Sequence, residues 1–141
     1  MDLPPFHLAL PITSVAAARS FYGELLGCPE GRSADAWIDF DFHGHQLSLH
    51  VREAGLADAG TTTVDGKEVP LPHFGLVLEL APWRELADRL RAAGVEFVIE
   101  PYTRFAGEPG EQATMFFRDP FGNALEVKAF ADLRRGMFAR D

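Results

Sequence analysis

Residues 116–130, FFRDPFGNALEVKAF, carry two apolar runs joined by DPFGN. Pro120 and Gly122 are tight-turn residues, so the flanks read as the arms of a β-hairpin. Successive side chains of a strand face opposite ways, which puts Leu125, Val127 and Ala129 on one face and Ala124, Glu126 and Lys128 on the other. Glu126 therefore points away from the more apolar face. Its destination, solvent or a pocket, decides what chemistry the chain can carry.

Beyond this hairpin, the chain reads as one unit written twice. FHLAL (6–10) is a short alternating strand, and TSVAAARSFYGELLG (13–27) is a helix that Thr13 or Ser14 can cap and Gly27 can end, with Ala18, Phe21, Tyr22 and Leu25 on one face. HFGLVLEL (73–80) and APWRELADRLRAAG (81–94) repeat strand and helix, with Pro82 suited to the first turn, Gly94 to the end, and Trp83, Leu86, Ala87 and Leu90 as the buried stripe. Strand-like segments follow each helix: AWIDFDF and QLSLHV around Gly44, then VEFVIE, ATMFF and ALEVKAF around Gly122. Both halves read as β-α-β-β-β. His7 matches His73 and Gly44 matches Gly122, while the offset grows from 66 to 78 residues, an excess that fits the loop PYTRFAGEPGEQ (101–112).

The expected organisation is a single domain over 1–141: module 1 at about 5–52, a linker or lid at about 53–71, module 2 at about 72–130, and a tail at 131–141. With 47% apolar and 24% charged residues, the 141-residue chain has the composition of an ordinary globular domain. Its net charge of −8, spread along the chain, disfavours nucleic acid and anionic membranes and favours a small-molecule partner. One cysteine, Cys28, allows no internal disulfide and no cysteine-built zinc site. No apolar run reaches membrane-spanning length and MDLPPF is not a signal peptide, so a cytoplasmic location is expected.

The same alternation applied to the other strands sets His7 opposite Leu8, His73 opposite Phe74, and Ser48 and His50 opposite Leu47, Leu49 and Val51. A small residue, Ala9, Ser48, Gly75 or Ala124, stands two positions from each His or Glu, as it does where a strand lines a cavity. A single strand histidine is more often hydrogen-bonded or half-exposed than metal-bound, and Glu126 alone can pair with Lys128 or face water. The set is more specific. Two histidines at equivalent points of a repeat plus one carboxylate are the donors of a 2-His-1-carboxylate site, which leaves open positions on Fe(II) or a similar ion.

The paired layout, the two strand-opening histidines and RDPFGNALEV (118–127) resemble the vicinal oxygen chelate superfamily of glyoxalase I, extradiol dioxygenases, fosfomycin-resistance and bleomycin-binding proteins. The resemblance runs from about His7 to Phe130. More narrowly, WIDFDFHGHQLSLHV, VPLPHFGLVLEL and GEPGEQATMFFRDPFGNALEVKAF are similar to small bacterial proteins described as extradiol-dioxygenase-like. The resemblance implies an α+β fold whose two modules pair into a curved mixed sheet, or partial barrel, around a metal cleft. It implies His7, His73 and Glu126 as ligands of a divalent ion, Fe(II) first, with Mn(II), Ni(II) or Zn(II) as alternatives. It also implies a homodimer, to which the apolar tail residues Leu133, Met137 and Phe138 can contribute.

Aligning Gly44 with Gly122 places Ser48, not His50, opposite Glu126. A glyoxalase-like site uses a fourth protein ligand there and Ser48 is a poor one, so the three-ligand, extradiol-type arrangement is preferred. His50 is then an outer acid or base, unless a bulge makes it a fourth ligand. Tyr102 is a candidate for proton management, and with Arg104 and Arg118 for anchoring a phenolate or carboxylate, although loop Tyr and Arg residues are common. The expected activity is a dioxygenase-like oxidoreductase acting on a small catecholic or vicinal-oxygen substrate. The alternatives are a metal-dependent lyase or isomerase and a non-catalytic drug-binding protein.

Overall fold

The computed structural model describes residues 3–53, 61–64 and 66–140. The chain divides into two compact units, Met1–Ala57 with Asp119–Asn123, and Asp58–Arg118 with Ala124–Asp141. Unit 1 contains β1 (His7–Ile12), α1 (Val15–Ala18), β2 (Glu30–Ala34), β3 (Trp37–Phe42) and β4 (His45–Val51). Unit 2 contains β5 (Thr61–Val64), β6 (Lys67–Pro70), β7 (Phe74–Glu79), α2 (Leu80–Ala92), β8 (Phe97–Arg104), β9 (Gln112–Arg118), β10 (Ala124–Phe130) and α3 (Leu133–Met137).

Each unit holds an open four-stranded mixed sheet, ordered β1-β4-β3-β2 in one and β7-β10-β9-β8 in the other. In both, the first strand lies parallel to the last, and the last three strands run antiparallel. This is the β-α-β-β-β repeat expected from the sequence, in an α+β fold. A parallel return of the first strand onto the last needs a crossover, and the helix supplies it.

In unit 1, Ser14 caps α1 by accepting from the Ala17 N–H at 3.1 Å. The helix then widens to π geometry over Arg19–Leu25, closed by the Leu26 N–H bond to the Phe21 carbonyl five residues back at 2.9 Å. Ala18, Phe21 and Tyr22 are buried with Ile38 and Phe40 of β3 and Leu47 and Leu49 of β4. Each of the larger side chains among them contributes about 1.5–3 kcal/mol by leaving water. Cys28 is also buried, and that burial, aided by the Asp41 charge, pushes its thiol up to about 11.

The turn Asp119–Asn123 groups with unit 1, although the strands on either side of it belong to unit 2. Buried Asp119 is saturated there. Its Oδ2 accepts from the Tyr22 hydroxyl and the Asn123 Nδ2, both at 2.7 Å, and its Oδ1 accepts from the backbone N–H groups of Phe121 at 2.9 Å and Asn123 at 2.8 Å. Asn123 Nδ2 also donates to the Pro11 carbonyl at 3.0 Å.

In unit 2, α2 buries Trp83, Ala87 and Leu90, with Leu86 half-buried, and Trp83 Nε1 donates to the Val127 carbonyl at 2.8 Å. Arg89 and Arg91 complement the negative end of the helix dipole, and Gly94, at φ 76°, ends it as anticipated. Leu125, Val127 and Ala129 are buried, as the alternation of β10 requires.

The stretch read as a linker is structured in part. Residues 54–60 and 65 of it lie outside the described residues, while Thr61–Val64 pairs antiparallel with Lys67–Pro70, and the Thr61 and Thr63 hydroxyls donate to Glu68 at 2.5 and 2.8 Å. The tail helix α3 is capped by Asp132, which accepts from the Arg135 N–H at 3.1 Å, and lies against β7 and β10. Phe138, just beyond it, is 74% exposed. No helix among the described residues is long and apolar enough to cross a membrane.

Candidate functional site

Glu126 points into a pocket. The polar face of the unit 2 sheet, together with the β5–β6 hairpin, bounds a cavity of about 310 Å³ whose lining includes His73, Thr114, Phe116, Glu126 and Tyr102. The antiparallel register places Glu126 beside Phe116 and Lys128 beside Thr114. On β8 the register shifts between Ile99 and Tyr102, so these residues, three apart, both pair toward the cavity-lining positions Phe116 and Thr114. Strict alternation would have set them on opposite faces.

His73 Nε2 lies 3.2 Å from Glu126 Oε1. His73 Nδ1 lies 2.7 Å from the Pro70 carbonyl, which can only accept, so Nδ1 carries the proton and donates it there. Glu126 Oε2 accepts from the Thr114 hydroxyl at 2.6 Å. With both outer atoms committed, Nε2 and Oε1 face each other. At that separation they need a cation or a proton between them. Phe116 packs edge-on to the imidazole, with centroids 5.0 Å apart, and fixes the ring plane.

The unit 1 sheet carries the corresponding half of the pattern. His7 Nδ1 donates to Gln46 Oε1 at 2.8 Å, and the Gln46 amide nitrogen donates to Asp39 Oδ2 at 3.4 Å. A carboxylate accepts only, which orients the amide and leaves His7 Nε2 with its lone pair, as in His73.

Register equates the other positions. Ala9 pairs with Ser48 in unit 1 as Gly75 pairs with Glu126 in unit 2, so Ser48 is the counterpart of Glu126. Pairing of β4 with β1 runs without a shift from Gln46 to Val51, so no bulge carries His50 to that place. His50 is exposed, paired with Pro11 and Trp37. His45 accepts the Phe6 N–H at 2.8 Å, and His43 is exposed in the turn.

Of the residues singled out in the sequence, unit 2 brings together His73, Glu126 and Tyr102, whereas His7 and His50 belong to unit 1. Among the described residues, no three His, Cys, Asp or Glu side chains are gathered as a metal site. Gly75 plays a different part from the one its size suggested: a Cβ there would fall on the Glu126 carbonyl, so its smallness serves strand approach rather than ligand space. The partner of Glu126, Thr114, was not singled out. Its place in ATMFF, at even spacing from Phe116, is the signal that could have found it.

The donor pair fits a divalent ion. Imidazole nitrogen and carboxylate oxygen without thiolate suit first-row metals, and both side chains are steadied by outer hydrogen bonds of the kind that orient metal ligands.

Comparison with known proteins agrees with this architecture. The solved structure of a glyoxalase/bleomycin resistance protein/dioxygenase from Alicyclobacillus acidocaldarius is 32% identical, with 96% of each chain covered and a TM-score of 0.71. A fosfomycin resistance protein, FosX, from Listeria monocytogenes shares the fold at 18% identity, covering 96% of this chain and 99% of its own, with a TM-score of 0.67. The virulence protein STM3117 of Salmonella typhimurium is 23% identical over 124 residues, 88% of this chain and 82% of its own. A sequence model of the Glyoxalase/Bleomycin resistance protein/Dioxygenase superfamily matches residues 5–127, nearly the whole repeat, and the chain belongs to that superfamily.

Proposed function

We propose that this protein is a metal-dependent enzyme of the extradiol-dioxygenase type, acting on a small catecholic or vicinal-oxygen substrate. Its ligands in unit 2 are His73 and Glu126, and the sequence repeat offers His7 as the candidate third donor. What supports this most is the pair His73 Nε2 and Glu126 Oε1, 3.2 Å apart on a cavity wall with their outer atoms tied to Pro70 and Thr114. Fe(II) is the preferred ion, with Mn(II), Ni(II) or Zn(II) as alternatives. Such an ion, when bound, supplies Lewis acidity toward adjacent substrate oxygens and brings reactants together.

The chain's own residues do the rest. Pro70 and Thr114 hold the donors in place, so little reorganisation accompanies binding. Val69, Ile99 and Phe116, with Tyr102 packed against them, form an apolar wall suited to a ring. The Tyr102 hydroxyl is the candidate proton donor or acceptor on that wall, and His50 remains a candidate outer acid or base. A glyoxalase-like reaction is less well served, because Ser48 stands where a fourth ligand is needed.

The test combines metal analysis after anaerobic purification with oxygen-electrode assays on a panel of catechols. A bound first-row metal and catechol-dependent oxygen uptake are expected. Metal without uptake moves the function to the lyase or isomerase alternative. Absence of metal from protein reconstituted with each of the four ions moves it to a non-catalytic binder, a role that likeness to a fosfomycin resistance protein makes specific enough to assay with drugs.

The proposal includes a homodimer, for which Phe138 is an apolar residue of the tail available to a partner. Sedimentation equilibrium is expected to give twice the 15.5 kDa chain mass. A monomer at high micromolar concentration removes this element.

A further inference from the structure

We infer that the unit 2 cavity receives an organic anion, a carboxylate or phosphonate on a planar apolar body, and that Lys67 and Lys128 meet its charge. Fourteen residues line the cavity, and they include both lysines of a chain whose other eleven cationic side chains are all arginine. In a protein of net charge −8, Lys67, Arg104 and Lys128 surround a cavity with one carboxylate, Glu126. That carboxylate is already engaged by Thr114 and faces His73.

Neither lysine forms an ion pair among the described residues. Lys67 stands over the Tyr102 ring, its Nζ 4.9 Å from the centroid, a contact that steers the ammonium across the cavity wall. Lys128 shares the β10 face of Glu126 and is paired with Thr114. A solvated surface is served by arginine everywhere else in this chain, so two lysines at one cavity ask for a reason. A lysine offers a compact charge with three rotatable donors, which suits a small anion whose orientation is fixed by its other end. The apolar wall of Val69, Ile99 and Phe116 can hold that other end, and about 310 Å³ accommodates one ring with a charged substituent.

This substrate class rests on the reading of the cavity as the substrate site, but its test needs neither metal nor turnover. Protein stripped with a chelator is titrated calorimetrically with benzoate, phenylphosphonate and neutral benzamide, at low and high salt. Wild type, Lys67→Gln, Lys128→Gln and the double variant are compared. At least one anion is expected to bind at least about tenfold more tightly than benzamide, as charge-assisted contacts do. Salt should narrow the gap, each single variant should reduce it, and the double variant should abolish it. The ranking of benzoate against phenylphosphonate identifies the anion class.

Both side chains are exposed, so the variants should melt with wild type. Should the double variant melt early, the salt dependence of the wild-type gap decides. No binding to wild type, equal affinity for benzamide, or a gap that survives in a folded double variant overturns the inference. Oxygen uptake can fail without touching this result, and the anion preference can fail while metal-dependent uptake stands.

Discussion

Asp119→Ala is expected to destabilise the protein by about 3–5 kcal/mol, because it strips the acceptor from several buried donors at once. The Tyr22 hydroxyl, the Asn123 amide and the Phe121 and Asn123 backbone N–H groups all converge on this carboxylate. Tyr22 is fully buried, so its hydroxyl has no water to turn to. For a domain of this size the loss corresponds to a fall of roughly 10–20 °C in Tm. Tyr22→Phe removes one donor together with its oxygen and should cost only about 1 kcal/mol.

The same network sets an alkaline limit. Burial first, then the Asp119 charge, holds the Tyr22 hydroxyl well above the ordinary tyrosine range. The folded state therefore keeps a proton that the unfolded chain releases. The stability this contributes is complete below about pH 10 and is lost as pH rises above it. Cys28, pushed up to about 11, acts the same way from its lower unfolded value near pH 9 upward. Urea unfolding from about pH 8 to about pH 11, the window of these two groups, should show declining stability, with the decline blunted above about pH 10 in Tyr22→Phe. An Asp119→Ala protein within about 1 kcal/mol of wild type would show that water replaces the carboxylate and would remove this account.

The repeat was legible because alternation and helix punctuation are local signals. Trp83, Ala87 and Leu90 had to face a sheet, and Leu125, Val127 and Ala129 had to face the same core. The same alternation placed Glu126 on the face away from that core, but left open whether that face met solvent or a pocket. What sequence spacing hid was whatever depends on tertiary register. Tyr102 and Ile99 share a cavity only through a register shift in β8, which no three-residue spacing announces. Thr114 became the support of Glu126 through strand pairing, and Lys67 reached the cavity on a hairpin concealed inside an apparent linker. Asp119 read as a turn residue in DPFGN. Its bond to Tyr22 spans 97 residues of sequence and has no local signature.

The second large effect is expected at the proposed metal site. His73→Ala removes a nitrogen donor whose tautomer and ring plane are fixed by Pro70 and Phe116, and should empty the site after anaerobic reconstitution and desalting. His7→Ala should do the same if the unit 1 histidine, held by Gln46 in the matching tautomer, supplies the third donor. His50→Ala is the control, because it also deletes one imidazole. Register makes Ser48 the counterpart of Glu126, and β4 carries no shift that would exchange the two positions. His50→Ala should therefore keep most of its metal, since an outer residue costs about 10–100-fold in affinity or activity while a lost ligand costs more. Metal-to-protein ratios on the three variants separate the cases. Full retention in His7→Ala would limit the ligand set to unit 2. Equal and nearly complete loss in His50→Ala and His73→Ala would make His50 a ligand, and a fourth protein donor would shift the chemistry from oxygen use to the lyase or isomerase class.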